Sequence, residues 1–171
     1  GTRGFNVTNT AGATSLTGSI FNDILIGGAG NDTLTGGSGD DKLTGGGGAN
    51  TFIVASGSDS ITDFKLGDKI TILGCNFSGV VSSGNGSSLS QNAVQVSTGS
   101  STTLVYVGTN SALGSDLYIT LNGVFSANQI GISGTDIYLN TASKIPAYIV
   151  TAASTTVNEG QTTSFTLKTL N

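Results

Sequence analysis

Asp23, Asp32 and Asp41 stand nine residues apart, and Asn50, Asp59 and Asp68 continue the same count. Around them run GSIFNDILI (18–26), GGAGNDTLT (27–35), GGSGDDKLT (36–44) and GGGGANTFI (45–53), so each acid or amide follows a glycine-rich turn. The donors on offer are all oxygen: the side chains at the sixth place, and the carbonyls of turn glycines such as Gly28, Gly30, Gly37, Gly39, Gly46 and Gly48. Oxygen-only donors suit a hard cation that accepts six to eight ligands at flexible geometry, which is calcium rather than magnesium or zinc. Seven of the ten acidic residues fall between 23 and 68, a concentration of charge that bound calcium would neutralise. The chain has no histidine, which removes Ser-His-Asp, Cys-His and His-ligated zinc chemistry together.

The spacing also dictates the elements that carry these oxygens. After each six-residue turn come three residues with an apolar one in the middle: Leu25, Leu34, Leu43 and Phe52. Three residues make one short strand, and alternate side chains of a strand face opposite ways. The eighth residue of each unit therefore points inward, and neighbours such as Thr33, Thr35, Lys42 and Thr44 point to water. Two strand-turn units close one coil of 18 residues, and stacked coils lie about 4.8 Å apart. Every second turn then comes into register, which gathers carboxylates that repel unless a cation lies among them. A flexible glycine linker has no reason to place an apolar residue at every ninth position.

GGAGNDTLT and GGSGDDKLT closely resemble the nonapeptide of the RTX (repeats-in-toxin) calcium-binding β-roll. The resemblance implies a right-handed parallel β-roll with ions held between the turns of repeats n and n+2. On one side it pairs Asp23 with Asp41 and Asp41 with Asp59. On the other it pairs Asp32 with Asn50 and Asn50 with Asp68, for three or four calcium ions in all. NTAGATSLT (9–17) keeps the frame with Thr14 at the sixth place and reads as a capping coil, which solenoids need at their ends. The unit 18–26 departs from the family at Ser19, Ile20 and Phe21. VASGSDSIT (54–62) and DFKLGDKIT (63–71) keep the frame, and the latter resembles the segment that closes such rolls. Asp40, at the fifth place, reads as a surface charge.

The expected class is thus all-β: a leading segment (1–8), the β-roll (9–71), an antiparallel β-sandwich-like cap (72–142), and the start of a further β domain (143–171). The cap is read from alternating runs such as AVQVS, TTLVYVG and DLYITLNGV, separated by Ser/Gly/Asn clusters. The last segment follows the sole proline, Pro146, and its V-N-E-G resembles the opening of an Ig-like or Calx-β-like domain. Cys75 has no partner for an internal disulfide and reads as a buried thiol. Six Lys and Arg against ten acids argue against nucleic acid as a partner, and no apolar run is long enough for membrane insertion. The chain opens without Met and is read as a processed product or an internal piece.

These features point to a non-enzymatic, calcium-binding structural module of a large exported bacterial protein of adhesin, surface-layer or matrix type. The family implies type I secretion and folding on calcium outside the cell, with surface, matrix or self-association through the parent protein. The alternative is the non-catalytic RTX portion of a secreted protease or lipase. A third reading gives residues 72–142 a glycan-binding face.

Overall fold

From Leu16 to Ile70, each apolar residue of the nine-residue period lies within a short strand. The computed structural model describes residues 3–110 and 116–141, and the backbone of two later strands. The strands are β1 (Asn6–Thr8), β2 (Ser15–Thr17), β3 (Ile24–Ile26), β4 (Thr33–Thr35), β5 (Lys42–Thr44), β6 (Thr51–Val54), β7 (Ser58–Ile61) and β8 (Lys69–Ile72). Odd and even strands separate into two parallel stacks, β1-β3-β5-β7 and β2-β4-β6-β8. Leu25 lies opposite Leu43, Leu34 opposite Phe52, and Phe52 opposite Ile70, so the register repeats every 18 residues. This is a parallel β-solenoid with two strands per coil.

The eighth-place side chains fill the space between the stacks. Leu25, Leu34, Leu43, Phe52, Ile61 and Ile70 are all fully buried. Each such side chain contributes about 1.5–3 kcal/mol relative to exposure. In the turns before β4 and β5, Gly28, Gly30, Gly37 and Gly39 take φ values of 95°, 103°, 105° and 104°, a region closed to most side chains. The solenoid begins earlier than expected, since Asn6–Thr8 pairs with β3 and sets Val7 opposite Leu25. The signal was present in outline: Val7 precedes Leu16 by nine.

Beyond β8 come β9 (Ser82–Ser83), β10 (Val94–Thr98), β11 (Thr102–Val107), β12 (Leu117–Asn122), β13 (Ile130–Ser133) and β14 (Asp136–Leu139). β11 runs antiparallel to both β10 and β12, but β12 joins β7 in parallel and β14 joins β8 antiparallel. These strands therefore extend the solenoid's own two sheets to eight and six strands. One core runs through both parts, from Leu25 and Phe52 to Val105, Ile119 and Ile137. Phe64 joins them, edge-on to Phe52 and to Phe125 with ring centroids 6.3 and 6.2 Å apart. Cys75 is buried there, and loss of water around its thiol raises the pKa, with Asp116 adding to the effect.

Gly1–Thr141 form one compact unit and Ala142–Asn171 a second. In the second, β15 (Tyr148–Ala152) pairs antiparallel with β16 (Phe165–Thr169). The V-N-E-G stretch lies outside the described residues.

Candidate metal centre

The sixth-place residues sit where each turn enters its strand. Asp23, Asp32, Asp41, Asn50, Asp59 and Asp68 are all buried, none more than 2% exposed. Burial of so many acids requires hydrogen bonds, and one oxygen of each receives one. The N–H of Asp23 donates to Asp41 Oδ1 at 2.8 Å, and that of Asp41 to Asp59 Oδ1 at 3.0 Å. On the other side, Thr14 donates to Asp32 at 2.7 Å, Asp32 to Asn50 at 3.0 Å, and Asn50 to Asp68 at 2.8 Å. The return bond is backbone: the carbonyls of Asp23, Asp32, Asp41 and Asn50 accept the N–H of Lys42, Thr51, Ser60 and Lys69. Each residue in the column thus extends the strand ladder by one side-chain rung, in steps of 18 residues.

The second side-chain atom separates the six. Oδ2 of Asp32, Asp41 and Asp59 is buried without a hydrogen-bond partner among the described residues. Leaving such an acceptor unmet costs about 1–3 kcal/mol, and more for a charged group. Asp23 is satisfied instead: Phe5 N–H donates to Oδ1, Ser19 N–H to Oδ2 at 2.5 Å, and the Ser19 hydroxyl lies 3.2 and 3.1 Å from the two oxygens. Asp68 is satisfied by Lys65, whose ammonium lies 3.2 Å from both oxygens. Asn50 turns its amide nitrogen toward the Gly45 turn, because only its oxygen can accept the Asp32 N–H; that nitrogen has no partner among the described residues.

Two of the unpartnered oxygens, on Asp32 and Asp41, face space that the first-place glycines Gly27 and Gly36 keep open. A Cβ placed on Gly27 would lie 2.5 Å from Asp32 Oδ2 and 2.7 Å from the Gly45 carbonyl oxygen. The first-place glycine therefore exposes a carboxylate oxygen of its own turn and a carbonyl of the turn 18 residues later. The carbonyls of Gly28, Gly30 and Gly39 similarly face the turns at Gly46, Gly48 and Gly57. Gly37, Gly39, Gly46 and Gly48 complete the turns with positive φ. Among the described residues no three His, Cys, Asp or Glu side chains meet at one point. Any cation here must draw most of its oxygens from turn carbonyls. A buried, unpartnered carboxylate oxygen beside a carbonyl-rich glycine turn fits calcium's donor preference.

Burial also sets the charge state. Loss of water pushes Asp59 up to about 7, opposed by its hydrogen bond from Asp41 and reinforced by the charges of Asp41 and Asp40. Asp41 is raised for the same first reason, with Asp23 and Asp40 adding repulsion. A cation beside these oxygens would reverse both effects.

Several contributors are outside the sixth place. The fifth-place residues form a second ladder in the opposite sense: Asp40 donates its N–H to Asn22 Oδ1 at 2.9 Å, and Asp40 Oδ1 accepts from Ser58 at 2.8 Å. Asp40 is exposed, as a surface charge would be, yet it ties two turns together. Asp63 accepts N–H bonds from Gly45 at 2.8 Å and Gly46 at 2.6 Å, which closes the turn beneath it. Its position, 18 residues after Gly45, was the available signal. Lys65 offered a fainter one, a base three residues before the sixth-place acid.

The family of RTX calcium-binding nonapeptide repeats, in four copies, matches residues 9–43, 17–52 and 26–61. No curated protein matches the chain. Among solved structures it is similar to the AlgE6R3 subunit from the Azotobacter vinelandii mannuronan C5-epimerase, at 32% identity over 68% of this chain and 74% of that one, with a TM-score of 0.38. No helix of the described residues is long and apolar enough to cross a membrane. With its nine-residue period, its 18-residue registers and these matched repeats, the chain belongs to the RTX calcium-binding nonapeptide repeat family.

Proposed function

We propose that this chain is a calcium-dependent structural module of a large exported protein, of adhesin, surface-layer or matrix type, that completes its fold on meeting calcium outside the cell. One observation carries the reading: three buried carboxylate oxygens, on Asp32, Asp41 and Asp59, have no hydrogen-bond partner among the described residues. The calcium-free solenoid bears both their unmet desolvation and the entropy of ordering glycine turns. Extracellular calcium sites have dissociation constants of about 10⁻⁴–10⁻³ M. An ion at ~100 times its dissociation constant stabilises the folded state by about 2.7 kcal/mol per independent site. The three oxygens support three ions. The reading assigns the chain no catalysis, because the buried acids are spent on the ladder and the chain lacks histidine.

Circular dichroism and thermal melting with calcium and with a chelator test the proposal. The expected result is a loss of β signal from the solenoid in chelator and its recovery on adding calcium. An unchanged spectrum and melting temperature in chelator would overturn it.

A further inference from the structure

The six sixth-place residues divide by what faces their second side-chain atom, and Lys65 makes the division informative. Its ammonium is 3.2 Å from each oxygen of Asp68, and its backbone N–H donates to Asp68 Oδ2 at 3.1 Å. Asn50 N–H supplies the remaining bond at 2.8 Å. The Asp68 side chain is fully buried, whereas that of Lys65 is 40% exposed. The stem of Lys65 thus delivers a cation from the surface to a buried carboxylate. One repeat pair above, Asn50 carries no charge and directs an N–H₂ group, a donor, toward its glycine turn at Gly45.

From this geometry we infer that Lys65 is a resident cation that takes the place of calcium at Asp68, so that the last coil and the strands built on it fold without the metal. The inference rests on the calcium reading of the other coils. A carboxylate already satisfied by an ammonium and two N–H donors gains little from a metal ion and would have to lose the lysine first. A calcium ion at Asn50 would meet the amide's donor face, and turning the amide would leave the Asp32 N–H without its acceptor. The external requirement then falls on Asp32, Asp41 and Asp59 alone.

The surroundings of the last coil agree. Asp136 Oδ2 accepts from Lys69 Nζ at 3.0 Å and its Oδ1 from Thr71 Oγ1 at 2.7 Å, which fastens β14 to β8. Ile70, Ile72 and Phe64 are buried beneath this edge. A metal-independent end offers a template on which the calcium-dependent coils can stack.

Hydrogen exchange of the full chain, with calcium and with chelator, tests the inference alongside calorimetric calcium titration. In chelator the amides of 69–72 should stay protected while those of 24–44 exchange. Lys65→Gln should speed exchange at 69–72 in chelator by about tenfold, the loss of one charged hydrogen-bonded partner. Calcium should restore that protection, and the titration should show one additional ion. Lys65→Gln/Asp68→Asn should recover protection in chelator and lose the additional ion, because the uncompensated charge is gone. The inference is overturned if Lys65→Gln leaves 69–72 as protected in chelator as the unaltered chain, or if the double variant is no better than the single. Failure of the calcium reading has a different signature, an unaltered chain whose amides at 24–44 ignore calcium. The comparison of the two variants in chelator still decides the lysine's role in that event.

Discussion

Asp41 donates its backbone N–H to Oδ1 of Asp59 at 3.0 Å, and the other oxygen of Asp59 is left buried with no partner. One carboxylate therefore does two things: it prolongs the strand ladder on one side and presents a bare oxygen on the other. Asp41 repeats the arrangement toward Asp23 at 2.8 Å. The middle of this column thus holds two unpartnered oxygens, against one in the column of Asp32.

The first prediction follows from that count. Asp41→Ala should lower calcium stoichiometry by up to two, because its turn borders the sites on both sides, and Asp32→Ala by about one. Asp41→Asn keeps an oxygen for the Asp23 N–H and separates loss of charge from loss of the rung. Calorimetric titration reads all three, and equal stoichiometry for the two alanine variants would contradict a shared role for Asp41.

Stability should depend on pH in a direction set by Asp59. Its folded pKa is about 7 against an ordinary 3.8, so the folded chain binds this proton more tightly than the unfolded chain does. The associated stability is full below the ordinary value and lost as pH rises through about 7. Without calcium, the chain should melt higher at pH 5 than at pH 8, and calcium should raise the melting temperature more at pH 8. Asp59→Asn should flatten the calcium-free profile. A calcium-free melting temperature that rises from pH 5 to 8 would contradict this assignment.

Gly27 should be intolerant of a single methyl group for a reason separate from its backbone. An added Cβ would press on Asp32 Oδ2 and the Gly45 carbonyl oxygen, the two oxygens of the cradle. Gly27→Ala should cost about 1–3 kcal/mol and weaken calcium binding. Gly12→Ala, where a Cβ meets nothing within 4 Å, should stay within about 0.5 kcal/mol of the parent. Chemical denaturation in calcium compares the pair, and similar costs would argue against a cradle at Gly27.

Phe52 should matter even when calcium saturates. It is fully buried, stacks between Leu34 and Ile70 in the register, and meets Phe64 edge-on. Phe52→Ala should cost about 3–5 kcal/mol through lost burial and a residual cavity. Thermal melting at saturating calcium measures it. A shift no larger than that of an exposed substitution such as Ile20→Ala would show that the stacked core contributes little.

Period alone determined the solenoid. An apolar residue at each eighth place and glycines at the second and fourth places dictate strand and turn, and nine residues taken twice set the 18-residue register of Leu25 on Leu43. The sixth-place acids were equally readable, because spacing reports which residues will share a column. What spacing does not carry is which atoms of a side chain remain unsatisfied. Asp23, Asp32 and Asp68 look alike in the repeat, yet Ser19 and Phe5 satisfy the first, Lys65 satisfies the last, and only Asp32 keeps a bare oxygen. Those differences arise from residues at other places of the turn or from a neighbouring coil, so they exist only once the chain is wound. The same holds for the later strands, whose alternation announced β structure. Their attachment to β7 and β8 was decided by the open edges and exposed core that the last coil left to be covered.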